Sequence, residues 1–402
     1  MNPIARFKIS ILFFIQFFIW GTWGVSMGSW MTGLGFSATQ IGTAFGATSI
    51  AAMISPFLVG MVADRFFPAQ RVLGVLHLVG GVLLFAASKT TTFSSFYPLL
   101  IAHTLCYMPT LALVNAVAFS EMKDSAKSFG SIRVMGTFGW IAAGLLIGML
   151  NLGGASTQFV IGGGVSVLLG VYCLLVLPDV PPKAKGQPFS VRSILGLDAL
   201  QLFKDRSFAV FAVGSFLICI PLAFYYSGTE RFLTQIGISG APAKMTFGQM
   251  SEVFFMLIFP IMFSRLGVKK MLVLGMGCWL VRYLCFAYGT AGSGLWMLML
   301  GILLHGPCFD FFFVTGQIYV DQRAPVQMRA AAQCLIAFIT YGAGMLVGSI
   351  AQGYVIDAYT LPDKTVNWSP TWIIPAVGSG VIMLSFIAFF RNPTRVQPTV
   401  EG

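Results

Sequence analysis

The sequence predicts an all-α membrane protein, with twelve transmembrane helices arranged as two pseudo-symmetric six-helix bundles. Three observations predict it. The 402 residues are 57% hydrophobic and only 9% charged, with 38 phenylalanines and a mean hydropathy of +0.84, far outside the range of a soluble domain. Apolar stretches of about 20 residues, the length a helix needs to cross the hydrocarbon, recur along almost the whole chain. The two halves of the chain also resemble each other.

The predicted spans are 9–31, 40–63, 72–88, 94–119, 130–151 and 158–177, then 207–229, 243–265, 268–289, 294–320, 328–357 and 369–391. The first, "ILFFIQFFIWGTWGVSMGSW", is too long and too aromatic for the short apolar core of a cleaved signal peptide and is expected to span. The one long polar connection, "PDVPPKAKGQPFSVRSILGLDALQLFKDRS", separates the sixth span from the seventh. It divides the chain into an N-terminal bundle (1–178), a cytoplasmic linker (179–206) and a C-terminal bundle (207–402). Within the linker, "VRSILGLDALQLF" has helical apolar spacing and is expected to lie along the membrane interface.

The charge of +11 raises nucleic acid as a partner, but its distribution removes the need for one. With the N-terminus placed in the cytoplasm, 18 of the 24 Lys and Arg fall on the cytoplasmic side. Four (Lys89, Arg231, Lys244, Lys364) fall on the other, and Arg133 and Arg282 lie inside spans. This positive-inside asymmetry places both termini in the cytoplasm of a multi-pass plasma-membrane protein, a bacterial inner membrane being the expected setting. All seven cysteines lie inside apolar spans and read as small packing residues; neither a disulfide nor a metal site is expected.

The internal repeat is the more decisive feature. "GFSATQIGTAFGATS" from Gly35 matches "GISGAPAKMTFGQMS" from Gly237, sharing Gly, Ser, the Phe-Gly pair and a final Ser in register. "GLLIG" (144–148) and "GMLVG" (344–348) lie 200 residues apart, each a small-xxx-small pattern that lets helix backbones approach. Two parallel six-helix repeats imply a pseudo-two-fold axis along the membrane normal and a midplane site between the halves.

The loop "GMVADRFFPAQR" (60–71) resembles the Gly-xxx-Asp-Arg signature of the major facilitator superfamily, through Gly60, Asp64, Arg65 and Arg71. The usual glycine after the Asp-Arg pair is replaced by bulky residues. The segments "IQFFIWGTWGVSMGSWM", "CYMPTLALVN", "SIRVMGTFGW", "SEVFFMLIFPIMFSRLGVKKM", "FDFFFVTGQIYV" and "MRAAAQ" resemble one branch of it, the nucleoside:proton symporters. The resemblance implies the major facilitator fold and proton-driven nucleoside uptake. It further implies a pocket lined by Arg133 and Thr137, Gln249 and Glu252, and Phe309 and Asp310. Two departures concern the ligand. Where family members can place amides on the seventh helix, this chain has Tyr225 and Tyr226, and His305 stands where another aromatic is expected.

The residues themselves support such a pocket. Ionisable groups in a membrane are costly and tend to face a cavity or a partner. Asp310 is close to mid-depth in its span; it reads as a proton-coupling carboxyl or as an anchor for an arginine or backbone group. Gln249 and Glu252, three residues apart, share a helix face and together offer acceptors and donors for a base edge or sugar hydroxyls. Their alternative is an ion pair, with Arg133 as the partner of Glu252. Glu252 is also a second proton-coupling candidate. Arg133, Thr137 and Trp140 form one stripe at i, i+4 and i+7, a guanidinium, a hydroxyl and a stacking surface, although Arg133 also suits a snorkelling role. Arg282, near the outer end of its span, reads as structural. Gln16, Trp20, Tyr107 and Asn115 are second-rank candidates.

No Walker-type loop, His-Glu-x-x-His or Cys-x-x-Cys occurs, which argues against ATP-driven transport and metalloenzyme chemistry. The expected protein is not an enzyme and uses no cofactor beyond the coupling proton. It acts as a monomer on a nucleoside, with the lipid bilayer as its other partner. A proton-coupled symporter for a disaccharide or other sugar is the alternative, because "SFGSIRVMGTFGW" also resembles oligosaccharide symporters.

Overall fold

A computed structural model describes residues 2–63, 66–122, 125–182, 197–325 and 328–391. The N-terminal half comprises α1, in two pieces (Pro3–Gly24 and Met27–Gly33), α2 (Ala38–Val62), α3 (Ala69–Ala87), α4 (Phe93–Ser120), α5 (Ser125–Met149) and α6 (Thr157–Leu175). The C-terminal half begins with α7 (Arg206–Gln235). The helical run Ala241–Tyr288 follows, and Gly267 divides it into α8 (241–266) and α9 (268–288). Then come α10 (Leu295–Leu303, His305–Phe309, Asp310–Val314 and Thr315–Arg323), α11 (Arg329–Ala337, Phe338–Gly344 and Met345–Ala358) and α12 (Trp368–Phe389). Among the described residues, ten helical runs are long and apolar enough to cross a membrane. The Ala241–Tyr288 run supplies two crossings and α2 one more, which makes twelve. An even number of crossings puts the start of α1 and the end of α12 on one face.

Backbone geometry carries the repeat that the sequence suggested. Gly35 and Gly237, which open the two matching segments, have φ of +80° and +88° with open space around each Cβ position. Conformation rather than crowding therefore demands glycine at both. At Gly267, φ is 68° and ψ 179°, a region only glycine occupies readily. The chain turns there from α8 into α9 with no intervening loop, at the break expected between 265 and 268.

Several expected boundaries move. Helix α1 starts at Pro3 rather than residue 9, capped by the Asn2 side chain (3.1 Å to Ile4 N). Helix α7 runs on to Gln235, past the expected 229, so Glu230 and Arg231 are buried helical residues rather than loop residues. The expected interfacial helix is described only over Leu197–Lys204, and there it is a short 3₁₀ helix; residues 191–196 lie outside the described residues. It ends just before Asp205, whose side chain caps α7 (2.8 Å to Ser207 N) and pairs with Arg323 on α10. Asp64 and Arg65 of the superfamily signature also lie outside the described residues.

Each half has its own apolar core. One cluster joins α7, α9, α10 and α12 around Trp279, Tyr283 and Trp372. Two others fill the N-terminal half around Leu12, Tyr107 and Leu169 and around Trp23, Trp30 and Phe159. The halves meet toward the face opposite the termini. There a Cβ on Gly42 would lie 2.2 Å from Ser349 O, and one on Gly148 2.3 Å from Ala243 N, so α2 and α11, and α5 and α8, touch backbone to backbone. The two small-residue motifs thus differ in use. Gly144 and Gly148 face α8 across the halves, whereas Gly344 and Gly348 pack against Cys219 and Ala223 of α7 within one half.

Candidate functional site

Helix α10 loses regular α geometry at Asp310, where a π-helical stretch, Asp310–Val314, begins; a second, Phe338–Gly344, interrupts α11. Such π segments re-aim side chains and recur at functional sites. Asp310 is fully buried, and neither carboxyl oxygen has a hydrogen-bond partner. Its electrostatic neighbour is Glu252 on α8. Glu252 in turn is within reach of the Arg133 guanidinium, contributed by α5 from the other half. The three ionisable groups therefore converge between the halves.

Close backbone approach fixes α8 against α10. A Cβ on Gly306 would lie 2.6 Å from Ser251 Oγ, and that hydroxyl donates to Leu303 O at 2.5 Å. Gly248 is also closely packed, its Cβ position 3.0 Å from His305 Cβ and 3.3 Å from the Tyr225 hydroxyl. Buried Gln249 and half-buried Glu252 are thereby held beside His305, whose Nε2 is 4.0 Å from Glu252 Oε2. The His305 ring stacks on Tyr225 (centroids 5.0 Å apart, 19° between planes) and meets Tyr226 edge-on at 6.0 Å. Aromatic contacts continue from His305 to Phe309, Phe313 and Tyr341.

On the N-terminal side, Arg133 is exposed and its guanidinium lies 4.4 Å from the Phe17 ring centroid. One and two turns on, half-buried Thr137 and Trp140 follow, and Trp140 meets Trp20 edge-on at 5.4 Å. The second-rank candidates Gln16 and Tyr107 are instead occupied in packing the half together. Gln16 bonds Thr110 (2.7 Å) and His77 (2.8 Å), and Tyr107 donates to Gln16 O at 2.5 Å.

The structure thus brings Asp310, Glu252, Gln249, His305, Phe309, Tyr225 and Tyr226 together on the C-terminal side and Arg133, Thr137 and Trp140 on one stripe of α5. Arg133 and Glu252 are within electrostatic reach of each other without forming a contact ion pair. Tyr341, within electrostatic reach of both, was missed, because one tyrosine in an apolar span carries no distinguishing pattern. Arg282, read from the sequence as structural, is fully buried, donates to Gly301 O at 3.0 Å, and holds its guanidinium over the Tyr225 ring, 3.9 Å from the centroid, on the face that attracts a cation.

Two six-helix halves with charges from both gathered between them define a membrane transporter of the major facilitator fold. A family model described as "Nucleoside H+ symporter" matches residues 4–395, and the chain belongs to that family. It is 45% identical to the putative nucleoside transporter YegT of Escherichia coli (strain K12), over 96% of this chain and 93% of the relative. It is 31% identical to the nucleoside permease NupG of the same organism, over 98% of each. The crystal structure of nucleoside transporter NupG superposes with a TM-score of 0.89, at 31% identity, over 98% of this chain and 100% of that one. The protein is a transporter and not an enzyme.

Proposed function

We propose that this protein imports nucleosides together with protons by alternating access, with the site between the halves open to one side of the membrane at a time. The convergence of Arg133 from one half with Glu252 and Asp310 from the other carries this reading. In it, Asp310 exchanges the coupling proton. Gln249, Glu252, Arg133 and Thr137 hold the nucleoside through hydrogen bonds, and Trp140, Phe309, His305, Tyr225 and Tyr226 provide aromatic walls. The bundles 1–178 and 207–402 rock as two bodies joined by the linker 179–206. The termini face the cytoplasm of a bacterial inner membrane, the coupling ion is the only accessory species, and a monomer suffices because one chain supplies both halves of the site.

Coupling requires protonation to change the relative free energies of the outward-open and inward-open states, since a ligand shifts a conformational equilibrium only through differential affinity. A buried carboxyl with no partner meets that requirement, because its charge is costly in one environment and relieved in a wetter one. The test is Asp310→Asn in proteoliposomes. Uphill uptake of labelled uridine under an imposed proton gradient is expected to vanish while uridine counterflow persists. Undiminished gradient-driven accumulation by the variant overturns the assignment.

A further inference from the structure

On the face opposite the termini lies a cavity of about 590 Å³ that the transport reading does not use. Both halves build it: Ser29, Thr32 and Asn151 come from the N-terminal half, Glu230, Arg231 and Lys364 from the C-terminal half. Its charges are unequally committed. Glu230, 4% exposed, accepts the Ser29 hydroxyl from across the halves and the Thr234 hydroxyl at 3.1 Å. Asp357, the other carboxylate near Arg231, is taken up by Ala38 N and Thr39 N, each at 2.8 Å. Arg231 is only 9% exposed, yet its Nε and Nη1 have no hydrogen-bond partner. Exposed Lys364 sits at the tip of the 361–365 turn with φ of +67°. Arg231 and Lys364 outnumber Glu230 among the charged residues of the cavity wall, so its formal charge is positive, and the cavity's volume is that of a small-molecule pocket.

We propose that this cavity binds a small oxyanion, a phosphate or carboxylate, between Arg231 and Lys364, and that its occupation holds the two halves closed on this face. A guanidinium presents paired donors to such an anion and a lysine adds a point charge. A ligand touching both halves binds the state in which they are in contact and shifts the population toward it. This second step rests on the alternating-access reading; the first does not.

The test uses the full-length protein purified in a neutral, lipid-free detergent, titrated with sodium phosphate against sodium chloride at matched ionic strength. A saturable rise in Tm is expected with phosphate alone. It should be lost in Arg231→Gln and reduced in Lys364→Gln, an exposed loop change that keeps the test informative if the buried substitution fails to fold. Glu252→Gln, at the central site, should retain it. A rise seen with phosphatidylglycerol and not with inorganic phosphate assigns the oxyanion to a lipid headgroup. No saturable rise with either, or one that survives both basic-residue substitutions, overturns the site. In proteoliposomes, phosphate on the cavity side should lower the maximal uridine uptake rate without changing its KM. Saturable binding with unaltered uptake overturns the closing effect alone, and failed transport with intact phosphate binding counts against the transport reading instead.

Discussion

Gly42→Ala tests whether the contact between α2 and α11 sets the conformational balance of the transporter. A Cβ at position 42 would lie 2.2 Å from Ser349 O and 3.2 Å from the backbone of Gly353. Backbone atoms cannot rotate away as a side-chain end can, so the helices must separate by roughly an ångström. Overpacking of this kind costs about 1–3 kcal/mol, or about 5- to 160-fold in an equilibrium constant. The contact exists only while the halves are closed on this face, so the cost falls on that state and the population opened there rises by the same factor. Amide hydrogen exchange reads such a population directly, and peptides covering 29–40 and 230–242 should exchange faster by that factor. Gly139→Ala is the matched control. Its Cβ would lie 2.0 Å from Phe14 O, but both residues belong to the N-terminal half, so it should lower Tm without selectively speeding those peptides. Exchange within two-fold of wild type in Gly42→Ala, or equal acceleration in both variants, would show that the α2–α11 contact does not set the balance.

Three further outcomes are expected. Asp357→Ala removes the acceptor that caps the start of α2 from the opposite half; an N-cap contributes about 1 kcal/mol, so the same peptides should exchange about five-fold faster, whereas an unchanged rate would show the cap to be dispensable. His305→Phe keeps an aromatic ring against Tyr225 but removes the imidazole facing Glu252. Tm should be preserved while the KM for the best nucleoside rises about 2- to 13-fold, the worth of one neutral hydrogen bond at about 0.5–1.5 kcal/mol, and an unchanged KM across a nucleoside panel would remove His305 from the site. Gly267→Ala forces a side chain into a backbone region that costs about 1–3 kcal/mol; a lower Tm is expected, and a Tm equal to wild type would mean that α8 and α9 re-register without strain.

The fold was legible because its determinants are local or periodic. Apolar length counts the crossings, and Gly35 and Gly237 mark equivalent turns, both of which have a left-handed φ in the structure. The charged members of the candidate site were legible for a related reason: Asp310, Glu252 and Arg133 stand out against oil. What the sequence could not show is commitment. Gln16 and Tyr107 look as suited to a ligand as Gln249 and Tyr226, yet their polar atoms are spent on Thr110, His77 and a backbone carbonyl. Glu230 and Arg231 read as loop residues, because no local pattern carries α7 past its apolar stretch to Gln235; the neighbours that cover them include Ser29 and Gly28 of α1, in the opposite half.

The same distinction explains why a sequence repeat does not produce two equal contacts between the halves. Gly35 and Gly237 launch α2 and α8 in the same way, but the helix starts are secured differently. Asp357 reaches across from α11 to accept three hydrogen bonds from Ala38 and Thr39 at the head of α2. The head of α8 has no side-chain cap and relies on Gly148 of α5 lying against Ala243. The α2–α11 contact, held by a carboxylate and by close backbone approach, is sensitive to hydrogen-bond chemistry and to volume, whereas the α5–α8 contact, held by van der Waals fit, is sensitive to volume. Opening this face therefore breaks the Asp357 bonds at the head of α2, the backbone packing at the head of α8 and the Ser29–Glu230 bond between α1 and α7. The α2–α11 side is accordingly the place where changes in polar chemistry, in addition to changes in size, bias the direction in which the site is open.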